Sequence, residues 1–303
     1  MRRWTEEDLR LSTLRRQFPW PLDGSTAPTP AAVLDLVAAI APIQSQVPRA
    51  PFVTLATRLP GVRYADLVDL FEDHRLVKAS TLRGTVFTSD RRQYAWAEAI
   101  ARSGRAQHLA GLVKVPVDEV DRLLTAVEHR AADWVAWDDL IEHTRTLMQE
   151  SRPEVAAREH EVRVLLWGLA GLLRRPPDSA WHKRTDVLRR SSRAALPELV
   201  DAPVEEAVTN LVERHLGAYG PVSKDDLCFF LGVRRTPVNR ALAAIADRVI
   251  TGEGPDGRPL VDLDDAVAAR DDEPEAARGV RLLAEFDGCL MGYAGSGRLR
   301  YLT

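Results

Sequence analysis

The fold is decided by residues 223–242, which read SKDDLCFFLGVRRTPVNRAL. Ser223, with an aspartate three residues later, forms a capping box at the start of a short helix, and Gly232 ends that helix. Thr236 then predicts the cap of a second helix, with Pro237 at its first position. Two helices joined by so short a turn are typical of a helix-turn-helix.

The flanking sequence completes a winged helix around this pair of helices. A helix is predicted over 204–216, and strands over 249–252 and 259–263 enclose the turn 254–257 to form the wing. Winged helices place a helix against the major groove of DNA and the wing on phosphates or the minor groove. The candidate DNA-contact residues of this unit are Arg234, Arg235 and Arg240.

The same order of elements is predicted near the N-terminus. Thr29 caps a helix that includes 33–40, and two more helices follow, one from Pro48 to about residue 58 and one over 64–71. Strands over 76–79 and 85–88 then form a hairpin, so that a first winged helix is predicted here.

A third, less clear copy is predicted between these two. Helices over 120–127, 137–148 and 154–169 run into the basic stretch 172–175. The predicted fold class is therefore mainly α with small β-hairpins, arranged as tandem winged-helix domains. The predicted domains are 1–105, 106–200, 201–265 and 266–303, the last of which contains an acidic link and a C-terminal strand over 280–287.

The composition is that of a globular protein. Of 303 residues 45% are hydrophobic and 28% are charged, which argues against a disordered chain. The two cysteines, Cys228 and Cys289, indicate a reducing compartment and no disulfide framework. The N-terminus lacks the apolar segment of a signal peptide, and the longest apolar run, 164–173, is too short to span a bilayer. We expect a cytoplasmic protein that does not contact membranes.

The charge is unevenly distributed along the chain, although the formal net charge is only −3. Residues 253–287 contain eleven acidic residues and four arginines, whereas 174–193 contain seven basic and two acidic residues. A local basic patch matters more for phosphate contact than the total charge does. The patch comprises Arg174, Arg175, Lys183, Arg184, Arg189, Arg190 and Arg193, of which the first four are our candidate DNA-contact residues. The alternative is an ordinary solvated basic face.

Neither a metal nor a cofactor is expected. The seven histidines and two cysteines show no metal-ligand spacing, and no phosphate-binding loop or hydrolase triad is evident.

Two glutamines, Gln44 and Gln46, form the candidate catalytic site. On a helix this spacing would turn the side chains about 200° apart, but in an extended segment residues i and i+2 point the same way. Pro42 and Pro48 bracket the pair and favour such a non-helical path. Both amides could therefore converge on one small target.

The chemistry open to two amides is narrow. Glutamine offers one acceptor and two donor hydrogens but is not a useful base near neutral pH, so it can orient water or a sugar oxygen. That limits catalysis to reactions whose leaving group departs easily, such as loss of a purine that alkylation at N7 or N3 has made cationic. The alternative is that these glutamines only cap the following helix.

Three stretches carry a resemblance to a known family. They are QSQVPRA at 44–50, LRGTVF at 82–87 and LLAEFDGCLMGY at 282–293. In order and spacing they resemble the AlkZ/YcaQ-type bacterial DNA glycosylases, tandem winged-helix proteins that excise bulky alkylated purines and in some cases unhook interstrand crosslinks. The Gln-x-Gln or Gln-x-Asp motif of that family matches Gln44 and Gln46. Ser45 stands where the family usually has an apolar or aromatic residue, and the family's C-terminal β-rich part is expected to be shortened.

The resemblance implies roles for individual residues. Gln44 and Gln46 would position water and stabilise the sugar cation, and Arg49, Arg83 and Thr85 would contact DNA. The implied partner is alkylated double-stranded DNA, and the protein would act as a monomer without a cofactor. Two alternatives remain open, a winged-helix transcriptional regulator without catalysis and a scaffold that binds no DNA.

Overall fold

A computed structural model describes residues 2–18, 28–168, 171–264, 280–295 and 297–298. Over these residues the protein is mainly helical with two small sheets. The longer helices are α1 (Glu6–Gln17), α2 (Pro30–Ala39), α3 (Ala50–Arg58), α4 (Tyr64–Glu72), α5 (Arg91–Arg102), α6 (Arg105–Val113), α7 (Val117–Arg130), α8 (Trp137–Ser151), α10 (Glu159–Gly168), α12 (Val204–Tyr219), α13 (Lys224–Leu231) and α14 (Arg235–Ala244). One-turn helices are α9 (Pro153–Ala156), α11 (Ser192–Ala195) and α15 (Gly288–Met291).

The strands form two separate sheets. They are β1 (Arg2–Arg3), β2 (Ile43–Gln44), β3 (Leu76–Ser80), β4 (Val86–Asp90), β5 (Val135–Ala136), β6 (Leu172–Arg175), β7 (Leu188–Ser191), β8 (Val249–Glu253) and β9 (Pro259–Leu263). The first sheet has the order β1-β8-β9, and the second has the order β2-β4-β3-β6-β7-β5. In the second sheet Ala79 of β3 pairs with Leu173 of β6. One sheet therefore runs across the domain boundary predicted at residue 105.

The helix pair at 223–242 largely follows the sequence prediction. The Ser223 capping box is present, and Gly232 ends α13 in the left-handed region at φ 70°. The predicted Thr236 cap is wrong, because α14 already begins at Arg235 after a cap at Arg234 that makes no side-chain hydrogen bond. Pro237 is accommodated in the first turn, where a helix does not need its backbone N–H.

The flanking prolines predict an extended path through both glutamines, but only Gln44 lies in an extended strand, because β2 ends at Gln44 and the chain bends at Gln46. Thr29 caps α2, and β2 follows it. The predicted helix start at Pro48 is wrong by two residues, because the chain turns at 46–49 with Ala50 N–H on the Val47 carbonyl, and α3 begins at Ala50. β2 is one of the two edge strands of the larger sheet.

The β3–β4 hairpin is joined to the C-terminal half of the chain at its tip. Arg83 and Gly84 both adopt left-handed backbone conformations there, with φ of 55° and 69°. The Arg83 guanidinium donates to the carbonyls of Phe229 and Phe230 at the end of α13, at 3.0 and 2.9 Å. These bonds satisfy carbonyls that a helix end leaves without intrahelical partners.

The predicted helix over 154–169 is interrupted, and α9 and α10 replace it. Pro153 begins α9, and the chain turns at 157–158 before α10 begins at Glu159. Leu169 lies outside the described residues. None of the described helices is long and apolar enough to cross a membrane.

The predicted C-terminal strand over 280–287 is wrong. The chain makes a turn there, with Asp287 N–H on the Ala284 carbonyl and Phe286 at φ 61°. The turn directs the Asp287 carboxylate into the core, where it accepts two hydrogen bonds from Arg58 of α3 at 2.6 and 2.9 Å. A buried charge requires a partner, and this need overrides the apolar strand-like pattern. The acidic link at 265–279 lies outside the described residues.

Tyrosines secure the same C-terminal segment against the centre of the fold. Tyr293 donates to the Tyr219 carbonyl of α12 at 2.9 Å, and the Tyr219 hydroxyl donates to the Ile40 carbonyl at 2.8 Å. At Gly288 a Cβ would overlap the Tyr219 hydroxyl, so this position requires glycine. The C-terminal segment thereby supports the chain just before β2 and the two glutamines.

Candidate active site and nucleic-acid groove

Ser45 anchors the glutamine segment to the sheet. Its N–H donates to the Val86 carbonyl at 2.7 Å, and its hydroxyl donates to Thr88 Oγ1 at 2.8 Å. The side chain is buried. A serine therefore fits the position where an apolar residue was expected, because Thr88 on the neighbouring strand supplies a polar partner.

Gln46 is exposed, and its amide orientation is set by the neighbouring strand. Val86 N–H donates to Gln46 Oε1 at 3.4 Å, so the oxygen faces β4. No described residue accepts a hydrogen bond from the amide nitrogen of Gln46. The side chain can therefore offer two N–H donors to a substrate acceptor.

Gln44 presents the complementary group. It lies opposite Phe87 in the β2–β4 pairing and is half-buried. Its Oε1 is buried and has no hydrogen-bond partner among the described residues. A buried carbonyl without a partner costs on the order of 1–3 kcal/mol, so this oxygen is suited to accept from an incoming donor such as water.

A cleft of about 340 Å³ opens beside Gln46. Gln44 does not line it, so the two amides do not share this cavity. Residues of β3, β4, β6 and β7 form its floor, and α8 and α10 contribute aromatic walls. The lining comprises Ser45, Gln46, Pro48, Lys78, Val86, Trp137, Trp167, Arg174, Arg184, Asp186, Val187 and Arg189.

The floor of the cleft is a buried cluster of charges. Arg174 Nε donates to Asp186 at 2.8 Å, and Lys78 Nζ lies 3.3 Å from the same carboxylate. Arg189 donates to the Asp186 backbone carbonyl at 2.6 Å. All four side chains are buried. The Asp186 carboxylate thus pairs with two of the cations, Lys78 and Arg174, while Arg189 reaches only its backbone carbonyl.

The cluster shifts the pKa values of its members. Burial lowers the pKa of Lys78, Asp186 opposes that shift and Arg174 adds to it. Burial, together with Arg174, lowers the pKa of Arg189 to about 9. Burial acts to raise the pKa of Asp186, but Arg174 and Lys78 outweigh it and hold that pKa below its ordinary value. Three basic side chains thus surround one acidic side chain in this cluster.

A second cavity of about 610 Å³ adjoins the cleft, and the two share Trp137 and Trp167. The rings of these tryptophans meet edge to face at 6.4 Å. The other residues that line this second cavity are Arg83, Gly84, Arg105, His108, Leu109, Leu112, His160, Arg163 and Val164. We call the two cavities together the groove. Basic side chains with aromatic rings between them suit a sugar–phosphate backbone.

The predicted DNA contacts near the glutamines are engaged within the protein. Arg49 is exposed and paired with Glu285. Arg83 lines the groove but donates to the α13 carbonyls. The Thr85 hydroxyl donates to the Leu82 carbonyl at 3.2 Å. Arg49 keeps 64% of its side chain exposed while it makes this ion pair.

The predicted contacts of the basic patch divide between the groove and the surface. Arg174 and Arg184 line the cleft, the first buried and the second exposed. Arg175 instead pairs with Glu72 at 2.6 Å. Lys183 is exposed but does not line the cleft.

The predicted contacts on the helix-turn-helix lie outside the groove lining. Arg234, Arg235 and Arg240 are all exposed. Arg235 pairs with Asp225, and Arg240 pairs with Glu205 at 2.9 Å. Acidic neighbours thus reduce the positive charge on this face.

Lys78, Trp137 and Trp167 were not predicted as site residues. A single lysine inside the apolar strand Leu76–Ser80 is a signal that could have indicated Lys78, since a buried lysine needs an anionic partner. Nothing local distinguishes the tryptophans from core residues, yet Trp167 is 41% exposed. Among the described residues no group of three His, Cys, Asp or Glu side chains could hold a metal ion.

Comparison with known proteins agrees with this architecture. A search of curated proteins finds no match. The solved structure of Streptomyces sahachiroi DNA glycosylase AlkZ matches with a TM-score of 0.74 at 18% sequence identity, covering 96% of this chain and 78% of that one. At this identity the match shows the fold alone. The model of the family described as DNA glycosylase AlkZ-like matches residues 37–300, and the chain therefore belongs to the AlkZ-like DNA glycosylase family.

Proposed function

We propose that the protein is a monofunctional DNA glycosylase that hydrolyses the N-glycosidic bond of purines alkylated at N7 or N3 in double-stranded DNA. Bulky adducts and interstrand crosslinks are included among its substrates. The observation that carries the proposal is the Gln46 amide that lines a basic cleft, two residues along the chain from the Gln44 carbonyl, which lies outside that cleft and has no hydrogen-bond partner among the described residues.

The two amides have different roles in the displacement of a leaving group that departs readily. The cationic base leaves as a neutral purine, taking the bonding electrons of the glycosidic bond, and the sugar becomes an oxocarbenium ion. Gln44 Oε1 accepts a hydrogen bond from the attacking water, and the Gln46 amide nitrogen donates to a sugar oxygen. Water adds to C1′ and releases a proton to solvent. No strong base is needed, because the leaving group already carries the positive charge.

We propose tandem winged helices as the scaffold. The third unit supports this best, since α12, α13 and α14 precede β8 and β9, and Val222 between α12 and α13 forms a bridge with Val261 of β9. This order is typical of a winged helix. A monomer in the cytoplasm, associated with the nucleoid when it is bound to DNA, stays a prediction.

The direct test is release of N7-methylguanine from a methylated duplex. We expect the Gln44→Ala, Gln46→Ala double variant to lose about 10²-fold or more in single-turnover rate, as removal of aligned transition-state groups does elsewhere. Gln149→Ala, at an exposed position of α8 away from the groove, is the matched control and should keep the wild-type rate. Equal release by wild type and double variant would overturn the proposal. Binding of undamaged duplex with sequence preference, without any release, would favour a regulator.

A further inference from the structure

Among the described residues, the charge cluster under the cleft holds more basic than acidic side chains. Lys78, Arg174 and Arg189 are buried around the single carboxylate of Asp186. Buried charges are normally paired, because the desolvation of an unpaired ion costs several kcal/mol. Lys78 and Arg174 share this carboxylate, whereas Arg189 makes no ion pair with a described residue and donates to backbone carbonyls only.

Hydrogen-bond donors of the cluster also remain unused. The only hydrogen bonds of Arg189 to described residues run from NH1, to the carbonyls of Asp186 and Leu188. Arg174 uses Nε on Asp186 and reaches Ser80 Oγ with NH1 at 3.4 Å. No described residue accepts from Nε or NH2 of Arg189. Because both arginines line the cleft, their remaining donors can meet a ligand there.

The aromatic walls hold the guanidinium groups in place. Arg189 lies over the Trp137 ring at 4.8 Å, and Arg174 lies over the Trp167 ring at 5.1 Å. Cation–π contacts of this kind fix a guanidinium without neutralising it. The exposed Arg184 adds another cation to the lining of the cleft. The site is thus preorganised for an oxyanion.

We propose that the cleft binds one phosphate group, the phosphodiester of the lesion-bearing DNA strand next to the nucleotide that Gln46 contacts. The identity of the DNA in this proposal rests on the proposed function, whereas the presence of an anion site does not depend on it. Arginine and lysine donors match the several acceptor oxygens of a phosphate. The same charge repels a cationic purine, so the damaged base lies outside the cleft and only its backbone enters.

The first experiment tests the anion site without DNA. Inorganic phosphate is titrated into the whole protein in a non-phosphate buffer, with binding followed by calorimetry and Tm, and with chloride at matched ionic strength as the reference. We expect phosphate to bind and to raise the Tm, and Arg184→Ala to weaken the affinity several-fold. Arg122→Ala, at an exposed position of α7 outside the groove, should match the wild type. Equal binding by wild type and Arg184→Ala, or no binding at all, overturns the proposal.

A second variant should change the phosphate affinity in the direction opposite to Arg184→Ala. Asp186→Asn removes the anion that competes for the three cations, so we expect tighter phosphate binding and a larger rise in Tm with phosphate than in the wild type. Should this variant fold only in the presence of phosphate, that dependence also supports an anion site. Weaker phosphate binding by a folded Asp186→Asn would contradict it.

The third arm distinguishes DNA from free phosphate as the source of the anion. Each DNA duplex carries an N7-methylguanine and one neutral methylphosphonate linkage, which is moved from one position to the next around the lesion. The affinity of the Gln44→Ala, Gln46→Ala variant is measured for each duplex. We expect one position beside the lesion to lose tenfold or more in affinity, and Arg184→Ala to reduce that loss. Uniform losses at all positions would reject the phosphodiester assignment. Because phosphate binding and base release are measured separately, failure of either leaves the other interpretable.

Discussion

At the scale of single residues, the buried ion pair of Arg58 and Asp287 links the C-terminal segment to the helix behind the glutamines. Both side chains are almost fully buried, and Gln17, Thr54 and Cys289 complete their hydrogen bonds. Removing one partner of such a pair leaves an uncompensated buried charge.

Asp287→Asn should therefore lower the free energy of unfolding by about 3–5 kcal/mol, the usual cost of breaking a buried pair. Urea denaturation at pH 7 measures it. Asp73→Asn, which removes the partner of Arg75 in an exposed pair, is the control and should cost about 1 kcal/mol or less. Equal effects of the two substitutions would show that burial does not strengthen the pair.

The Asp287 carboxylate also makes the free energy of unfolding depend on pH. Burial acts to raise the pKa of Asp287, but Arg58 outweighs it and holds that pKa below the ordinary value of 3.8. The unfolded chain therefore binds a proton more readily than the folded one at acid pH. Stability from this group is complete above about pH 4 and is lost as the pH falls through the lowered pKa.

We expect the free energy of unfolding of the wild type to fall more steeply than that of Asp287→Asn as the pH is lowered below about 4. Urea unfolding at several pH values on both sides of that point measures the two slopes. Parallel slopes would contradict the assignment of the lowered pKa to this pair.

At the scale of elements, a single arginine joins the tip of the β3–β4 hairpin to a distant helix. Arg83 joins the hairpin to the end of α13 and also lies over the Phe229 ring at 4.9 Å. Burial lowers the pKa of Arg83, with Arg298 contributing. The resemblance implies that Arg83 contacts DNA, whereas its bonds within the protein indicate that it supports the hairpin.

Arg83→Ala should lower the free energy of unfolding by about 1.5–3 kcal/mol, because two carbonyls lose a charged donor. Arg92→Ala, at an exposed position of α5, should change it by about 0.5 kcal/mol or less. Chemical denaturation compares the two. A loss of DNA affinity in Arg83→Ala with no loss of stability would restore the DNA-contact role.

At the scale of the whole molecule, the positive charge is concentrated in the groove although the net charge is −3. The groove brings together residues from both halves of the larger sheet and from α6, α8 and α10. Charge gathered in this way, rather than the total, sets the interaction with a polyanion.

DNA affinity should fall with salt, with a slope of about −0.9 per phosphate contact on a double-logarithmic plot. Arg163→Ala removes an exposed arginine of the groove and should make the slope less steep by about 0.9, the value for one phosphate contact. Arg122→Ala should leave the slope unchanged. Fluorescence anisotropy over a series of salt concentrations measures both. Identical slopes for the two variants would place the DNA away from the groove.

The sequence by itself determined the features that depend on near neighbours. The caps at Thr29 and Ser223 and the helix end at Gly232 are satisfied within four residues, so local chemistry decides them. The extended path predicted from the flanking prolines holds at Gln44, whereas the chain bends at Gln46.

Only the tertiary structure decided which distant charges meet. Arg58 and Asp287 lie 229 residues apart, and Lys78 of β3 reaches Asp186 in the loop before β7. An isolated segment keeps each charge in water, so its local pattern gives no sign of a partner. Once folding buries these groups the need for a counter-charge becomes strong, and it overrode the strand predicted before Asp287 and placed Asp186 among the buried cations beside Gln46.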